Sequence, residues 1–390
     1  MASNYEEALI KHSEWRGKLR VEVHSPLNNR NDLALAYTPG VAAACLAIKD
    51  NESLMDELTW VNSTVAVITD GTAVLGLGDI GPKAAMPVME GKAALFKRFA
   101  GLNAIPICLD TKDPDEIIRI VSALAPSFGG INLEDISAPR CVTIERKLKE
   151  IMRIPVFHDD QHGTAIIVLA GLINAMRLTG KRKEDMTICV SGTGAAGSSI
   201  IKLLYDYGFK TIYGFNKFGI VSQDMKENTD FLQDEIAEIT NLEHRHISLA
   251  EALSESDVFV GVSAPHLVSS GMASSMKKDA VIFAMANPEP EITYDEAKAA
   301  GVRIVGTGRS DYPNQVNNVL VFPGLFKGAL AAKAPQITER MKIAAAEGLA
   351  ALIATSDLRD DYILPDVFDE RVADCVAQAV IDEVHHASAL

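Results

Sequence analysis

The feature that most constrains the fold is a glycine-rich turn between a short apolar strand and a helix. A strand is predicted over residues 186–191, a helix over 198–207 and a second strand over 211–215. The turn between the first two has the spacing G-x-G-x-x-G, whose glycines permit a tight bend and let a pyrophosphate approach helix amides. The sequence therefore predicts a dinucleotide site formed by Gly192, Thr193, Gly194, Ala195, Ala196 and Gly197.

The choice of coenzyme is set at the end of the second strand of such a unit. An acidic residue there would bind the ribose hydroxyls of NAD. This chain has Phe215, Asn216 and Lys217 instead. Asn216 can still reach a hydroxyl, and Lys217 can pair with a 2′-phosphate. The expected coenzyme is NADP or NAD, with NADP favoured.

The remaining strands predict two α/β domains. At 390 residues the chain is too long for one core. Short apolar runs that alternate with helices predict parallel sheets on both sides of residue 163. The expected fold is α/β with an N-terminal domain of parallel strands, a doubly wound Rossmann-type domain and C-terminal helices that pack back on the first domain. The predicted ranges are 1–163, 164–330 and 331–390.

Two predicted strands of the first domain end on pairs of acids. Glu134 and Asp135 follow one strand, and Asp159 and Asp160 follow the next, before a helix expected to open at Thr164. Neighbouring parallel strands end at the same edge of a sheet, where ligands bind. Clustered carboxylates without cysteine are typical of a Mg²⁺ or Mn²⁺ site. An Asx turn with a helix cap remains the alternative, and His158 and His162 are further possible ligands.

Three other segments carry candidate functional residues. Tyr37 precedes Thr38-Pro39, and a helix is expected to restart near Pro39 with Thr38 as its cap. Lys92 is expected early in an apolar helix, where the helix dipole would lower its pKa. Pro82 and Pro87 are expected to interrupt the segment before it. Each residue has an ordinary alternative, as a half-buried tyrosine or a surface cation.

Charge and composition exclude several classes of function. The net charge is -15, which argues against nucleic acid and against an anionic membrane surface as partners. Five widely spaced cysteines without a C-x-x-C pair fit a reducing, cytoplasmic location. No signal peptide is evident, and no apolar run is expected to span a membrane.

Taken together, the motifs resemble the malic enzyme family in its short bacterial form, in the same order and over nearly the whole length. They are Tyr37-Thr38-Pro39-Gly40-Val41, Gly76-Leu77-Gly78-Asp79-Ile80-Gly81, Glu90-Gly91-Lys92, Glu134-Asp135, Asp159-Asp160-Gln161-His162-Gly163-Thr164, Ala286-Asn287-Pro288 and Asn317-Asn318. The resemblance implies oxidative decarboxylation of L-malate to pyruvate and CO₂, with NAD(P) and a divalent metal, in a homodimer.

The resemblance also implies a role for each site residue. Lys92 is the base for the C2 hydroxyl, Tyr37 the acid that protonates C3, and Asp159 the acid that supports the lysine. The implied metal ligands are Glu134, Asp135 and Asp160. The implied substrate-binding amides are Asn287, Asn317 and Asn318. As a base near neutral pH, Lys92 is expected to have a depressed pKa.

Two departures from the family pattern leave questions open. Long-chain members carry a substrate arginine where this chain has Ala73, so the partner of one malate carboxylate is unassigned. Short members often have Asn where this chain has Asp79. The alternatives are a malolactic enzyme, which releases lactate, a metal-dependent oxaloacetate decarboxylase and a non-catalytic nucleotide sensor.

Overall fold

The first lobe is built on a parallel sheet whose strands are buried. In the computed structural model, which describes residues 2–74, 76–224 and 229–389, the order is β2-β1-β3-β4. The strands are β1 (Thr64–Thr69), β2 (Asn103–Cys108), β3 (Gly130–Leu133) and β4 (Val156–His158). Parallel strands covered on both faces read as continuous apolar runs, which is how they were recognised in the sequence.

The helices of this lobe differ from the sequence-based expectation near Thr38 and at Pro82. They are α1 (Ala2–Trp15), α2 (Arg30–Ala36), α3 (Val41–Asp50), α4 (Met55–Leu58), α5 (Pro82–Leu95), α6 (Pro114–Ala123) and α7 (Arg140–Ile151). The cap predicted at Thr38 is wrong, because α3 begins at Val41 with Gly40 before it. Pro82 does not interrupt α5 but starts it, since a proline at the first position loses no hydrogen bond. Pro87 lies inside the helix.

The second lobe has a doubly wound sheet in the order β10-β9-β8-β5-β6-β7. Its strands are β5 (Thr187–Ser191), β6 (Thr211–Asn216), β7 (Gly219–Ile220), β8 (Val258–Gly261), β9 (Val281–Ala284) and β10 (Ile304–Thr307). All pair in parallel except β7, which is antiparallel to β6. The predicted α/β class, with two sheets of mainly parallel strands, is confirmed.

Helices join the two lobes and close the molecule. They are α8 (Asp159–Thr179), α9 (Ala195–Tyr207), α10 (Phe231–Ala237), α11 (Leu249–Ser254), α12 (Ser270–Ser274), α13 (Tyr294–Ala299), α14 (Phe322–Ala331), α15 (Glu339–Ala351) and α16 (Val372–Ser388). One core cluster contains Val65 and Phe157 of the first sheet with Met341 and Val376 of α15 and α16. The C-terminal helices therefore pack back onto the first lobe, as predicted.

The long helix α8 departs most from the sequence-based expectation. It begins at Asp159 rather than Thr164, so both acids lie in its first turn. Carboxylates are favoured there, because the N-terminal end of a helix carries partial positive charge. The predicted domain boundary after residue 163 lies inside this continuous helix.

Two segments are long and apolar enough to span a membrane by length and composition alone. They are Arg30–Asp50 and Asp159–Thr179, so the expectation that no run reaches this length is wrong. The second is α8, a mostly buried core helix, and the first is divided by the break between α2 and α3. Mostly buried core helices of soluble proteins, such as α8, have the same length and composition.

Candidate active site

The two acid pairs meet at one edge of the first sheet. Leu133 of β3 pairs with His158 of β4, so Glu134 and Asp159 are the next residues on neighbouring strand ends. One carboxylate oxygen from each of Glu134, Asp135 and Asp160 lies within 4.8 Å of the others. The predicted geometry of this cluster is therefore confirmed. Its residues are defined here as the carboxylate cluster.

Backbone geometry holds this cluster together. Asp135 has a φ of 53°, a left-handed conformation that is uncommon for a residue other than glycine. Its N–H donates to Asp160 Oδ2 at 2.9 Å. Such strain persists where the surrounding structure imposes it, and it concentrates at functional sites. The two strand ends are thus joined directly, one through its backbone and the other through its side chain.

Lys92 lies against the same carboxylates. Its Nζ is 2.6 Å from Asp159 Oδ2 and 2.8 Å from Glu134 Oε1. It also lies 4.2 Å from the ring centroid of Phe322, the first residue of α14. Phe322 was not identified from the sequence, because only the fold brings α14 to α5. The expected position of Lys92 early in its helix is wrong, since it lies in the last turn of α5, where the dipole favours a cation.

The charges around Lys92 also contradict the expected depressed pKa. Burial disfavours the ammonium, but the attraction of Asp159, Glu134 and Asp160 outweighs burial and raises the pKa of Lys92 above its ordinary value. Burial raises the pKa of Glu134 well above its ordinary value, against the lowering effect of Lys92. The carboxyl groups of Glu134, Asp159 and Asp160 thus share the single ammonium of Lys92.

The residues of the carboxylate cluster fit a hard divalent cation. Carboxylate oxygens are the ligands that Mg²⁺ and Mn²⁺ prefer, at metal–oxygen distances of about 2.1 Å for Mg²⁺. Oxygens less than 4.8 Å apart can share one such ion with small side-chain movements. A cation would also offset the burial that, together with the neighbouring carboxylates, raises the pKa of Glu134. Glu134, Asp135 and Asp160 are therefore the residues that would hold it.

The predicted histidine ligands are not part of this cluster. His162 Nε2 lies 2.8 Å from Glu145 Oε2, and its Nδ1 lies 3.0 Å from Lys342 Nζ. Burial lowers the pKa of His162 to about 4, against the opposing effect of Glu145. The ring is therefore neutral and has both nitrogens occupied. His158 is buried, with Nδ1 3.9 Å from Asp160 Oδ2, which is beyond hydrogen-bonding distance.

Two side chains hold Asp159 through its Oδ2. Besides Lys92, Asn318 Nδ2 donates to its Oδ2 at 3.2 Å. A Cβ on Gly163, one helical turn later, would lie 2.0 Å from Asp159 Oδ1, so only glycine leaves room for this carboxylate. The last position of the Asp-Asp-x-x-Gly motif therefore requires glycine for a steric reason.

The ends of the two sheets face each other across the site. Asn318, beyond the end of β10, reaches Asp159 at the end of β4. Gly76, beyond β1, approaches Asn287, beyond β9, so closely that a Cβ would lie 2.8 Å from its backbone oxygen. Ligands bind outside the carboxyl ends of parallel strands. Both sheets therefore contribute their ligand-binding edge to one cleft.

The predicted substrate amides differ in their placement. Asn318 contacts Asp159, whereas Asn317 Oδ1 accepts from the backbone N–H of Val319 at 3.0 Å. Asn287 is exposed on its loop. The departure at Asp79 has a partner in the structure, because its carboxylate pairs with Lys112.

Of the three predicted catalytic residues, Lys92 and Asp159 lie in the cleft. Tyr37 lies outside it in a single chain. Its side chain is 67% exposed, and its hydroxyl makes no hydrogen bond within the described part of the chain. It follows α2, and neither α2 nor α3 has a buried residue. Exposed apolar side chains occur along α1, α2 and α3, and they are defined here together as the N-terminal face: Tyr5, Leu9, Trp15, Leu35, Tyr37 and Leu46.

The glycine-rich turn has the shape that a pyrophosphate requires. Gly192 has a φ of 96°, and a Cβ on Gly197 would lie 1.7 Å from Gly192 O, so both positions need glycine. At Gly194 a Cβ would meet nothing within 4 Å, which leaves open space before the first turn of α9. Helix amides there can bind an anion. The turn, with Thr193, Ala195 and Ala196, lies where predicted.

The end of β6 lies beside this turn. The Asn216 side chain accepts from Phe218 N–H at 2.8 Å. Lys217 is exposed, with its Nζ 4.9 Å from the Phe218 ring centroid. An exposed ammonium here is available to a phosphate group, in keeping with the sequence-based prediction.

Known proteins match this chain over nearly all of its length. The malic enzyme N-terminal domain family matches residues 16–149, and the malic enzyme NAD binding domain family matches residues 161–385. The bifunctional malic/malolactic enzyme of Bacillus subtilis (strain 168) is 50% identical, over 96% of this chain and 92% of that protein. The NAD-dependent malic enzyme of Geobacillus stearothermophilus is 51% identical, over 95% of this chain and 77% of that protein.

More distant relatives and a solved structure agree with these matches. An NADP-dependent malic enzyme of Rhizobium meliloti (strain 1021) is 47% identical, over 96% of this chain and 51% of that protein. The crystal structure of an NAD-dependent malic enzyme from Thermotoga maritima superimposes with a TM-score of 0.92 at 45% identity. It covers 96% of this chain and 98% of that one.

Proposed function

This chain belongs to the malic enzyme family, and on that premise we propose that it converts L-malate to pyruvate and CO₂ with reduction of NAD(P). The observation that carries the proposal is the position of Lys92. Its Nζ lies 2.6 Å from Asp159 and beside the carboxylate cluster, in the cleft that the nucleotide lobe faces. A base, an all-oxygen cation site and a dinucleotide turn are the three parts that this chemistry needs.

The reaction assigns a step to each residue. Lys92 accepts the C2 hydroxyl proton as hydride leaves C2 for the nicotinamide, which gives oxaloacetate. Loss of CO₂ breaks the C3–C4 bond and leaves enolpyruvate. Tyr37 lies outside the cleft of its own chain, so it would donate the proton to C3 from a second copy. A divalent cation held by Glu134, Asp135 and Asp160 would act as a Lewis acid for the electrons released in decarboxylation. Asp159 and Asn318 orient Lys92 and the substrate.

Lys92 must lose its proton before it can accept one. In the structure the carboxylates that stabilise its ammonium include Glu134 and Asp160. A bound cation would compete for those carboxylates and weaken their attraction for the ammonium. Lys92 would therefore be basic more readily with a cation held by Glu134, Asp135 and Asp160.

The coenzyme preference follows from the end of β6. No acid stands there to bind a ribose hydroxyl, and Lys217 is exposed. We expect NADP to be used in preference to NAD. Relatives of both kinds are known, because the Geobacillus relative is NAD-dependent and the Rhizobium relative is NADP-dependent.

A homodimer is proposed from the N-terminal face. Many exposed apolar side chains on a monomer are typical of an interaction site. Tyr5, Leu9 and Leu35 are each at least 69% exposed there, on helices that bury nothing in one chain. A second copy that covers this face would also shield Tyr37 from water.

Initial rates with L-malate test the function. With Mn²⁺ present, NADP should be reduced faster than NAD, pyruvate should form in equal amount, and a chelator should abolish both. No coenzyme reduction by malate would reject the proposal. Turnover of oxaloacetate alone would favour a decarboxylase instead.

A malolactic activity is the second candidate, because the Bacillus relative is described as bifunctional. That reaction retains the reduced coenzyme and passes the hydride to pyruvate. It predicts lactate without growth of free NAD(P)H absorbance. Assay of pyruvate and lactate in the same reaction separates the two products.

A further inference from the structure

Three helices from distant parts of the chain contribute polar side chains beneath the first turn of α8. Glu145 comes from α7, His162 from α8 and Lys342 from α15. Lys342 is 1% exposed and Glu145 is 2% exposed. These three side chains are defined here as the α8 network. None of them belongs to the carboxylate cluster, and neither Glu145 nor Lys342 was identified from the sequence.

Glu145 holds both ends of the turn that carries the two acids. Its Oε1 accepts from the backbone N–H of His158 at 3.1 Å, and its Oε2 pairs with His162 Nε2 at 2.8 Å. Residue 158 immediately precedes Asp159, and residue 162 follows Asp160 by two. One carboxylate therefore fixes the segment on both sides of Asp159 and Asp160.

Lys342 fixes the orientation of the His162 ring. Its Nζ lies 3.0 Å from Nδ1, and an ammonium can only donate, so Nδ1 must accept. The ring proton is then on Nε2 and is donated to Glu145. The other partner of Lys342 is Glu339 Oε1 at 2.6 Å, on its own helix. Through this contact the C-terminal helix α15 holds the ring that holds the catalytic turn.

Burying charged side chains of this kind costs free energy. A role in fixing a local geometry gives a reason for keeping them buried. Replacing buried ion pairs by apolar residues is often neutral or stabilising, so such pairs are weak evidence for stability. Partners behind the direct ligands of a metal orient those ligands, and their loss typically costs about 10- to 100-fold in metal affinity or activity. The α8 network stands in that relation to Asp160, and through Asp159 to Lys92.

We propose that Glu145, His162 and Lys342 are positioning residues that set the first turn of α8, so that Asp160 faces the carboxylate cluster and Asp159 meets Lys92. The inference rests on the proposed function, because it assigns these residues a role in the same site. It extends that site to α15, a helix that supplies none of the proposed catalytic or metal-binding residues.

Lys342→Met tests the proposal, since methionine keeps the length of the side chain and removes the charge and the donor. We expect Mn²⁺ affinity, measured by electron paramagnetic resonance, to fall by about tenfold or more. The kcat with malate should fall while the KM for coenzyme is unchanged. Amide hydrogen exchange should quicken in residues 157–165 and not in the second sheet. Lys342→Arg keeps a donor and should restore part of the affinity.

Lys149→Met is the matched control. Lys149 also pairs with Glu145 Oε1, at 2.8 Å, and acts on His162 and Lys342 through its charge, with no hydrogen bond to either among the described residues. It should leave Mn²⁺ affinity and exchange at residues 157–165 close to those of the unchanged protein. An equal loss in Lys149→Met would show that only the charge balance of Glu145 matters and would overturn the role of Lys342.

The same experiments distinguish failure of the α8 network proposal from failure of the proposed function. Unchanged exchange and unchanged Mn²⁺ affinity in Lys342→Met would overturn the network even if malate is the substrate. If the unchanged protein does not oxidise malate, the function fails, and local exchange still decides the network. Should Lys342→Met not fold, His162→Gln serves, because glutamine can accept from Lys342 and donate to Glu145. Loss of Mn²⁺ binding in that variant would contradict the proposal.

Discussion

At the scale of single residues, the site depends on how one ammonium shares several carboxylates. Lys92 contacts Asp159 and Glu134 directly, and Asp160 adds to the attraction. The same Glu134 belongs to the cluster that fits a cation. A base and a metal site that share a ligand are coupled, so a change in one is expected to alter the other.

Lys92→Ala should abolish malate oxidation and leave coenzyme binding intact. General base catalysis typically contributes about 10²- to 10⁴-fold, so the rate should fall by at least about a hundredfold. Coenzyme binding can be measured by fluorescence titration. Lys97→Ala is the control, because Lys97 is exposed and its Nζ donates to Gly101 O and Asn103 Oδ1, away from the carboxylate cluster. Retained turnover in Lys92→Ala would reject this residue as the base.

Site residues could be predicted from the sequence where acidic side chains directly follow the ends of buried strands. Four acids follow the buried strands β3 and β4. Because these strands pair in parallel, the proximity of the acids could be predicted: Glu134, Asp135, Asp159 and Asp160. The environment of Lys92 could not, because its pKa depends on charges that approach from β3 and α8. Phe322 and Lys342 were missed for the same reason, since their contacts span long separations in the chain.

At the scale of elements, α8 connects the lobes and carries the acids at its first turn. Its start was predicted five residues late, because Asp159 and Asp160 were assigned to a strand end. Likewise α5 was expected to be broken by its prolines, whereas Pro82 occupies the first position of the helix. Strands were located closely because buried parallel strands are short apolar runs, whereas helix ends depend on local capping.

Gly163→Ala should separate helix stability from catalysis. Alanine favours a helix interior by up to about 1 kcal/mol over glycine, yet its Cβ would lie 2.0 Å from Asp159 Oδ1. Asp159 would have to leave Lys92, so the malate rate should fall by about a hundredfold, of the order expected for a general base. Gly271→Ala in α12 is the control, because its Cβ would meet nothing closer than 3.8 Å. Full activity in Gly163→Ala would contradict this account.

The contribution of the Glu145 carboxylate to the stability of the fold is expected to depend on pH. Against burial, which raises it, His162 and the ammonium groups of Lys149 and Lys342 lower the pKa of Glu145 well below its ordinary value. A lowered folded pKa adds stability above the unfolded value of about 4.3, and this stability is lost as pH falls further. The difference in melting temperature between the unchanged protein and Glu145→Gln should therefore be constant above about pH 5 and shrink below pH 4. A difference that grows in acid would contradict this assignment.

At the scale of the whole molecule, the cleft is made by two sheets, but the N-terminal face needs another partner. Tyr37 lies on that face and is exposed in one chain. Sequence patterns could not reveal this, because the exposure of an amphipathic helix depends on what covers it. A cytoplasmic location, and the absence of nucleic-acid and membrane partners, stay predictions from charge and composition.

Leu35→Glu tests the homodimer, because Leu35 is 69% exposed on the N-terminal face, two residues before Tyr37. Light scattering should give a dimer for the unchanged protein and 42.0 kDa for the variant. Malate turnover should fall together with the dimer. Phe368→Glu is the control, since Phe368 is also 69% exposed but lies outside that face. A Leu35→Glu protein that remains dimeric would exclude this face as the interface.

The most direct test of the account is a titration of the purified protein with Mn²⁺, followed by electron paramagnetic resonance. We predict one tightly bound ion per chain, lost in Asp160→Asn and in Asp135→Asn but retained in Asp79→Asn, whose carboxylate pairs with Lys112 instead. Binding that is unchanged in Asp160→Asn and Asp135→Asn would contradict the account, because the acids at the two strand ends would then not share a cation.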